Sequence, residues 1–228
     1  MKRVIVAIDG PGGAGKSTIA RRVAERLGFL YLDTGAMYRA VALWAVRTGV
    51  PLDDAHRLEQ LAVNAEIGFE ECGRVVRLNG EDVSTVIRTP EVSAAASRVS
   101  AVPGVRRALV EKQRLAARAA SVVMEGRDIG TVVFPQAEVK FFLDASPDVR
   151  AARRVKELEE KTGEACKESV ARELAERDQR DRSRAEAPLA QAPDAVYLDS
   201  SRLTLEEVEE RILQAVRDRT ANGKEPVR

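Results

Sequence analysis

A glycine-rich bend, GPGGAGKS at residues 10–17, follows the short apolar run VIVAID and leads into a helix-forming stretch. The bend matches the pattern G-x-x-x-x-G-K-[ST] at every fixed position, and a strand before it and a helix after it are the context that this pattern requires. In such a bend, successive backbone N–H groups point at phosphate oxygens above the positive end of the helix. The alternative interpretation is a glycine-rich turn that binds nothing.

The motif predicts a site for a nucleoside triphosphate with Mg²⁺, but it does not identify the reaction. Lys16 should reach the β- and γ-phosphates, and the Ser17 hydroxyl should ligate the metal. The chain has no Asn-Lys-x-Asp segment for reading guanine, and its 228 residues suit phosphoryl transfer to a small acceptor better than an ATPase motor. The residues assigned to ATP are Gly10, Pro11, Gly12, Gly13, Ala14, Gly15, Lys16, Ser17 and Thr18.

Composition argues against several other classes of protein. The formal net charge is +1, so nothing in the overall charge indicates a nucleic-acid or membrane partner. Two distant cysteines and a single histidine argue against a disulfide framework, a zinc site and Ser-His-Asp or Cys-His catalysis. No apolar run is long enough to cross a bilayer or to serve as a signal peptide. We therefore expect a cytoplasmic protein, and a monomer because no dimer surface is evident.

Strands and helices alternate along most of the chain. Short apolar strands separated by helices favour an α/β fold, a parallel sheet flanked by helices. The predicted strands are residues 3–9, 29–33, 121–126, 139–145 and 195–201, and the predicted helices include residues 16–27, 35–49 and 204–219.

Two segments interrupt this alternation and are predicted to be insertions. Residues 65–83 alternate apolar and polar side chains, with turn signals at Cys72-Gly73 and Asn79-Gly80, which is typical of small antiparallel strands. Residues 149–184 have a helical pattern rich in Arg, Lys and Glu, broken near Thr162-Gly163. The predicted organisation is a core of residues 1–64, 101–148 and 185–219, an insertion at 65–100, a helical segment at 149–184, and a disordered tail at 220–228.

Three polar segments are candidates for the acceptor site. LDTGAMYR, residues 32–39, and MEGRDIGTVVFP, residues 124–135, each follow an apolar strand. Parallel strands bring such segments to one edge of a sheet. In the first, Asp33 and Thr34 could simply cap a helix, and Arg39 could lie on the surface.

In the second segment, Glu125 stands where an acid often organises Mg²⁺, and Arg127 with Asp128 could be an ordinary salt bridge in a turn. The third segment, RDQRDRSR, covers residues 177–184. Arg177, Asp181 and Arg184 have the spacing of one helix face, for which a solvated charged surface is the alternative.

The chain resembles bacterial cytidylate kinases in seven segments, which occur in the same order and cover nearly the whole chain. They are the phosphate loop, LDTGAMYR, AAASRV, MEGRDIGTVVFP, FLDAS, ERDQRDRSRAEAPL and YLDSS. The resemblance implies a P-loop nucleoside monophosphate kinase fold. It also implies transfer of the γ-phosphoryl group of ATP to CMP or dCMP, in pyrimidine nucleotide metabolism. The insertion would bind the monophosphate, and the arginine-rich helices would form a mobile lid.

The same resemblance implies roles for individual residues. Ser97, Arg106 and Asp128 would read cytosine, Arg177 and Asp181 would contact the ribose, and Arg39, Arg127 and Arg184 would clamp the acceptor phosphate. Arg153, with Arg150 and Arg154 as further candidates, would close over the ATP phosphates. The implied catalytic residues are Lys16, Arg127, Arg153 and Arg184, and Asp33 and Thr34 belong to the implied acceptor site.

Hydrogen-bonding chemistry agrees with the predicted reading of cytosine. Its N4 amino group is a donor that a carboxylate accepts, whereas N3 and O2 accept from arginine and serine. A kinase for UMP, AMP or shikimate is the nearest alternative, although the Asp-x-Asp typical of shikimate kinases is replaced here by Asp33-Thr34-Gly35. A module that senses ATP without turning it over is the alternative from another class.

Overall fold

The computed structural model describes residues 3–222, apart from the side chains of residues 161, 162, 221 and 222. The chain divides into two compact units, one containing the residues up to Phe29 and from Ser121 onward, the other spanning Leu30–Ala120. The second unit is therefore larger than the predicted insertion at residues 65–100. The functional boundaries of core, insertion and lid stay predictions.

Eight strands and eight α-helices are formed by the described residues. The strands are β1 Ile5–Asp9, β2 Leu30–Asp33, β3 Ile67–Glu70, β4 Val75–Leu78, β5 Glu81–Asp82, β6 Val122–Gly126, β7 Val139–Asp144 and β8 Val196–Asp199. The helices are α1 Lys16–Leu27, α2 Thr34–Arg47, α3 Ala55–Asn64, α4 Pro90–Val99, α5 Pro103–Ala116, α6 Pro147–Thr162, α7 Lys167–Arg182 and α8 Leu205–Asn222. None of them is long and apolar enough to pass through a bilayer.

In the first unit, β6, β1, β7 and β8 lie side by side in this order, and every pair is parallel. Asp9, the last residue of β1, is in register with Gly126 of β6 and Phe142 of β7. All five residues of β6 are buried, as expected for a strand of a parallel sheet covered on both faces. The carboxyl ends of these strands therefore meet at one edge, and this edge carries the segments predicted to be functional.

The helices of the first unit begin and end where local signals predict. Helix α1 has the predicted bounds and ends at Gly28, whose φ of 66° is left-handed. On α1, Arg22 and Arg26 form ion pairs with Glu209 of α8. Helix α8 continues to Asn222, so the first three residues of the predicted tail are helical, and residues 223–228 of that prediction lie outside the described part of the chain.

The arginine-rich segment forms α6 and α7, and the predicted break between them is confirmed. Helix α6 begins at Pro147. The hydroxyl group of Ser146, the residue before it, accepts a hydrogen bond from the Val149 N–H and caps the helix. It ends at Gly163, whose φ of 83° is left-handed.

The second unit contains the predicted antiparallel strands. Strands β3, β4 and β5 form a three-stranded sheet in this order. Asn79 and Gly80 join β4 to β5 with φ values of 51° and 85°, the backbone for which an Asn-Gly pair is preferred in tight hairpins. Gly73 lies against Tyr31, where an added Cβ would approach the ring at 2.4 Å.

Candidate active site

The phosphate loop connects β1 to α1, and two of its positions admit only glycine. Gly10 has a φ of 148°, and a Cβ there would lie 1.9 Å from the carbonyl oxygen of Leu143. Gly13 has a φ of 74°, and a Cβ there would lie 2.9 Å from the carbonyl oxygen of Arg150. Helix α1 begins at Lys16, within the last two residues of the motif, and its first N–H groups have no intrahelical acceptors. A glycine cradle over a helix N-terminus fits a phosphate chain.

Lys16 is buried at the start of α1, with only 6% of its surface exposed. Its Nζ donates a hydrogen bond of 2.7 Å to the carbonyl oxygen of Pro11, within the same loop. Burial, followed by the positive charge of Arg127, lowers the pKa of Lys16 to about 7, although the carboxylate of Glu125 opposes the shift. The ammonium group is therefore held where a negatively charged ligand would stabilise it strongly.

The turn after β6 carries Arg127 and Asp128. Arg127 donates from Nε to Asp181 Oδ2 at 2.9 Å, so its ion pair reaches α7. Asp128 is buried, with 5% exposed, and a turn of π-helix at Ile129–Val133 follows it. Glu125, at the end of β6, is also buried. The strand end thus gathers two carboxylates and a guanidinium within the first unit.

Asp181 forms ion pairs with two of the arginines predicted to bind the acceptor phosphate. It is 1% exposed, and its two carboxylate oxygens pair with Arg127 and with Arg184. Burial alone would raise the pKa of Asp181, but the charges of Arg127, Arg184 and Arg177 outweigh burial and lower it. The prediction that Arg184 shares a helix face with Asp181 is wrong in one respect. Helix α7 ends at Arg182, and Arg184 reaches Asp181 from the residues beyond it.

Two of the predicted lid arginines lie against the phosphate loop. Arg153 donates to the carbonyl oxygen of Ala14 at 3.2 Å and to the hydroxyl and carbonyl oxygens of Ser200 at 3.0 and 2.8 Å. Arg150 is buried and donates to the carbonyl oxygen of Gly12 at 3.1 Å.

Arg150 is also tied to the protein by other groups. It donates to the carbonyl oxygen of Ala145 at 3.0 Å and forms an ion pair with Asp178 of α7. The third candidate, Arg154, pairs with Glu157 on its own helix at 2.7 Å. Arg150 and Arg153 therefore contact the loop, whereas the described partner of Arg154 lies on α6.

In the second unit, Asp33 caps α2 as predicted. Its side chain accepts a hydrogen bond of 2.9 Å from the Ala36 N–H and another of 2.8 Å from Arg39 Nη2. Burial by itself would raise the pKa of Asp33, but the charge of Arg39 and the Ala36 N–H lower it. Arg39 Nε is buried without a hydrogen-bond partner among the described residues. Thr34 is buried as the first residue of α2.

Ser97 and Arg106, the other predicted base-reading residues, lie on α4 and α5 of the second unit. Both are buried, with 7% and 5% of their surfaces exposed. Arg106 donates to the carbonyl oxygen of Ser100 at 3.2 Å, and its guanidinium carbon lies 5.6 Å from the centre of the Tyr38 ring. An arginine fixed over an aromatic ring loses little further freedom when it binds a ligand.

Sequence reasoning missed three residues that contact this machinery. Asp9 accepts hydrogen bonds from the turn after Asp128, Asp178 pairs with Arg150, and Ser200 holds Arg153. Asp9 had a usable signal, since an acid at the end of an apolar strand directly before the glycine bend is unusual for a buried position. Asp178 had no such signal in the sequence, because it is one of many charged residues on α7.

Comparisons with known proteins show which family the chain resembles. The sequence profile of a family described as cytidylate kinase matches residues 6–218. A cytidylate kinase from Solibacter usitatus is 62% identical over 227 residues, which cover 98% of this chain and 97% of the relative. A cytidylate kinase from Citrifermentans bemidjiense is 50% identical over 222 residues, covering 96% and 95% of the two chains.

A solved structure gives a likeness of fold alone. It is of an uncharacterized protein from Eubacterium ventriosum and is 11% identical in sequence. The alignment covers 94% of this chain and 99% of the other, with a TM-score of 0.52.

Proposed function

This chain belongs to the cytidylate kinase family, and we propose that it transfers the γ-phosphoryl group of ATP to CMP or dCMP, giving ADP with CDP or dCDP. The observation that carries the proposal is the match of the family profile over residues 6–218, which include the complete phosphate loop and its buried Lys16. A lysine with a lowered pKa beneath a glycine cradle is an arrangement that a bound polyanion stabilises.

For ATP, we propose that the loop N–H groups and Lys16 hold the phosphate chain. The exposed Ser17 hydroxyl, one residue into α1, would hold Mg²⁺ together with phosphate oxygens. When bound, the metal supplies positive charge that offsets the charge on the transferred group. Arg153 already contacts the loop through the Ala14 carbonyl, and this contact supports its assignment to the ATP phosphates.

For the acceptor, we propose that Arg39, Arg127 and Arg184 hold the phosphate of CMP. Two of them are charged partners of the buried Asp181, so their guanidinium groups are oriented before a ligand arrives. Asp181 and Arg177 would contact the ribose. The acceptor phosphate is already largely ionised near neutral pH, so the reaction requires orientation and charge neutralisation more than a general base.

For the base, we propose that Asp128 accepts from the N4 amino group of cytosine, while Arg106 and Ser97 donate to its acceptors. Their burial supports this assignment, because a polar group removed from water discriminates strongly between a donor and an acceptor. Asp33 and Thr34 complete the proposed acceptor site, and Glu125 is a candidate for organising the metal shell. The cytoplasmic location and the monomeric state stay predictions.

The proposal is tested by coupled measurement of ADP release from purified protein with ATP and Mg²⁺. The acceptors are CMP, dCMP, UMP, AMP and shikimate, and we expect rapid release with CMP and dCMP only. A Lys16→Ala preparation controls for contaminating kinases. Preference for another acceptor would assign a different kinase activity, and ATP binding without release in any mixture would favour a sensing module. Either outcome would reject the proposal.

A further inference from the structure

Asp9 is a buried carboxylate for which the proposed reaction has no role so far. It is the last residue of β1 and directly precedes Gly10 of the phosphate loop, with 4% of its surface exposed. Its Oδ1 accepts a hydrogen bond of 2.8 Å from the Ile129 N–H, and its Oδ2 accepts one of 2.7 Å from the Gly130 N–H. Both carboxylate oxygens are therefore bonded to the same short stretch of backbone.

That stretch begins directly after Arg127 and Asp128. Ile129 and Gly130 open the π-helical turn Ile129–Val133, and the first N–H groups of a helical turn have no acceptor within the turn itself. The carboxylate oxygens of Asp9, at the end of β1, are the acceptors for these two N–H groups. Turns of π-helix are rare and occur frequently at functional sites.

The packing around Gly130 limits how far the turn can shift. An added Cβ at this residue would lie 3.1 Å from Lys140 Cδ and 3.4 Å from Asp9 Oδ2. The stem of Lys140 thus closes one side of the turn, and its Nζ is held by Asp194 and the carbonyl oxygen of Pro135. The turn is enclosed between the carboxylate of Asp9 and the side chain of Lys140.

Burial of the Asp9 carboxylate lowers the stability of the folded protein. Its predecessors on β1, Val6, Ala7 and Ile8, are completely buried, so the carboxylate ends an apolar strand. Burial raises the pKa of Asp9 to about 6, and the N–H groups of Gly130 and Ile129 only partly offset the effect. A neutral side chain would avoid this cost, so the carboxylate is better explained by what it holds than by stability.

We propose that Asp9 is a positioning residue, whose carboxylate fixes the turn carrying Arg127 and Asp128 relative to the phosphate loop. The inference rests on the proposed function, in which Arg127 and Asp128 bind the acceptor and the loop binds ATP. One side chain at the start of the loop then sets the distance and angle between the two substrates. A misplacement of about 1 Å at such a junction can reduce the rate by about a hundredfold.

The test is the Asp9→Asn variant. Asparagine keeps the shape but has one acceptor oxygen, and its amide group opposes the second backbone N–H. We expect kcat to fall and the KM for CMP to rise, each by about tenfold or more, while the KM for ATP changes by less than about threefold. The preference for CMP over UMP should also decline, because the carboxylate of Asp128 moves with the turn.

The matched control is Glu138→Gln. Glu138 Oε2 accepts a hydrogen bond of 3.0 Å from the Ile5 N–H, at the opposite end of the same strand. It is also a carboxylate bonded to backbone, but it lies away from the loop, so its kinetic constants should stay within about twofold of the wild type. If Asp9→Asn fails to fold, Gly130→Ala crowds the same junction and should change the same constants in the same direction.

Three outcomes decide the inference. Wild-type kinetics in a folded Asp9→Asn protein, or in Gly130→Ala where Asp9→Asn does not fold, overturn it. A loss of activity that follows only the fraction of folded protein, with unchanged KM values and acceptor preference, also overturns it. If the wild type itself fails to phosphorylate CMP, the proposed function fails first, and calorimetric titration of both proteins with CMP then tests whether Asp9 shapes the site at all. Equal affinity in the two proteins would reject that role.

Discussion

Binding of a triphosphate should make Lys16 take up a proton, and the amount should increase between pH 6 and pH 8. With a pKa of about 7 in the free protein, about nine-tenths of the Lys16 side chains are charged at pH 6 and about one-tenth at pH 8. Phosphate oxygens within contact distance favour the ammonium form and raise this pKa again. Binding at pH 8 should therefore draw about 0.9 proton from the buffer, compared with about 0.1 at pH 6.

The measurement is isothermal titration calorimetry with Mg²⁺ and a non-hydrolysable ATP analogue. Titrations at pH 8 in buffers with different ionisation enthalpies give the number of protons as the slope of observed enthalpy against buffer enthalpy. At this pH the terminal phosphate is already ionised, since its pKa is about 6. The carboxylate of Asp9 is ionised as well, with a pKa of about 6, so neither group contributes appreciably.

A Lys16→Arg variant is the matched control. Arginine stays charged at every pH used, so any binding it retains should proceed without this proton. A slope near zero for the wild type at pH 8, with binding intact, would refute the reasoning, because it would mean that burial does not neutralise Lys16. The same slope in both proteins would also refute it, since the proton would then belong to another group.

Three further predictions concern single side chains. Lys16→Ala should lower kcat by about two orders of magnitude or more, because it removes the positive side chain proposed to lie beside the transferred phosphoryl group. Near-normal turnover in the ADP-release assay would exclude Lys16 from the mechanism. Asp128→Ala should erode the preference for CMP over UMP more than it weakens ATP binding, and equal losses with both acceptors would contradict a role in reading the base. Asp181→Asn should destabilise the fold at pH 7 by about 3 kcal/mol, because two arginines lose their buried partner. The lowered pKa of Asp181 means that its stabilisation is present above the unfolded value of 3.8 and is lost as the pH falls through the folded value. The difference between the melting temperatures should therefore stay nearly constant from pH 7 down to about pH 4 and shrink as the pH falls further. A difference that does not shrink in acid would exclude the ion pairs as the cause.

Local features of the chain were predictable to within a residue or two. Helix α1 has the predicted bounds because Lys16 follows the glycine bend and Gly28 ends the helix with a left-handed backbone. The turn at Asn79 and Gly80 follows from two residues that tolerate positive φ. Each of these signals lies within a few residues of the structure that it determines.

Features that depend on distant contacts were not predictable in this way. The spacing of Arg184 suggested a place on α7, yet the helix ends at Arg182 and Arg184 still pairs with Asp181. The hydrogen bonds of Asp9 to Ile129 and Gly130 span about 120 residues. No periodicity or local propensity specifies which backbone amides a buried carboxylate will meet, because the sheet must assemble before the two segments become neighbours.

The hydrogen bond from Lys16 to the Pro11 carbonyl oxygen would compete with any ligand that binds the ammonium group of Lys16. A ligand has to offer the ammonium group more than one neutral carbonyl does, and it also has to supply the charge that makes protonation favourable near pH 7. A lone monoanion would gain little from this exchange, whereas a chain of linked phosphates would engage the lysine and several loop amides at once. We therefore expect the contact between Lys16 and Pro11 to favour polyphosphates over small anions.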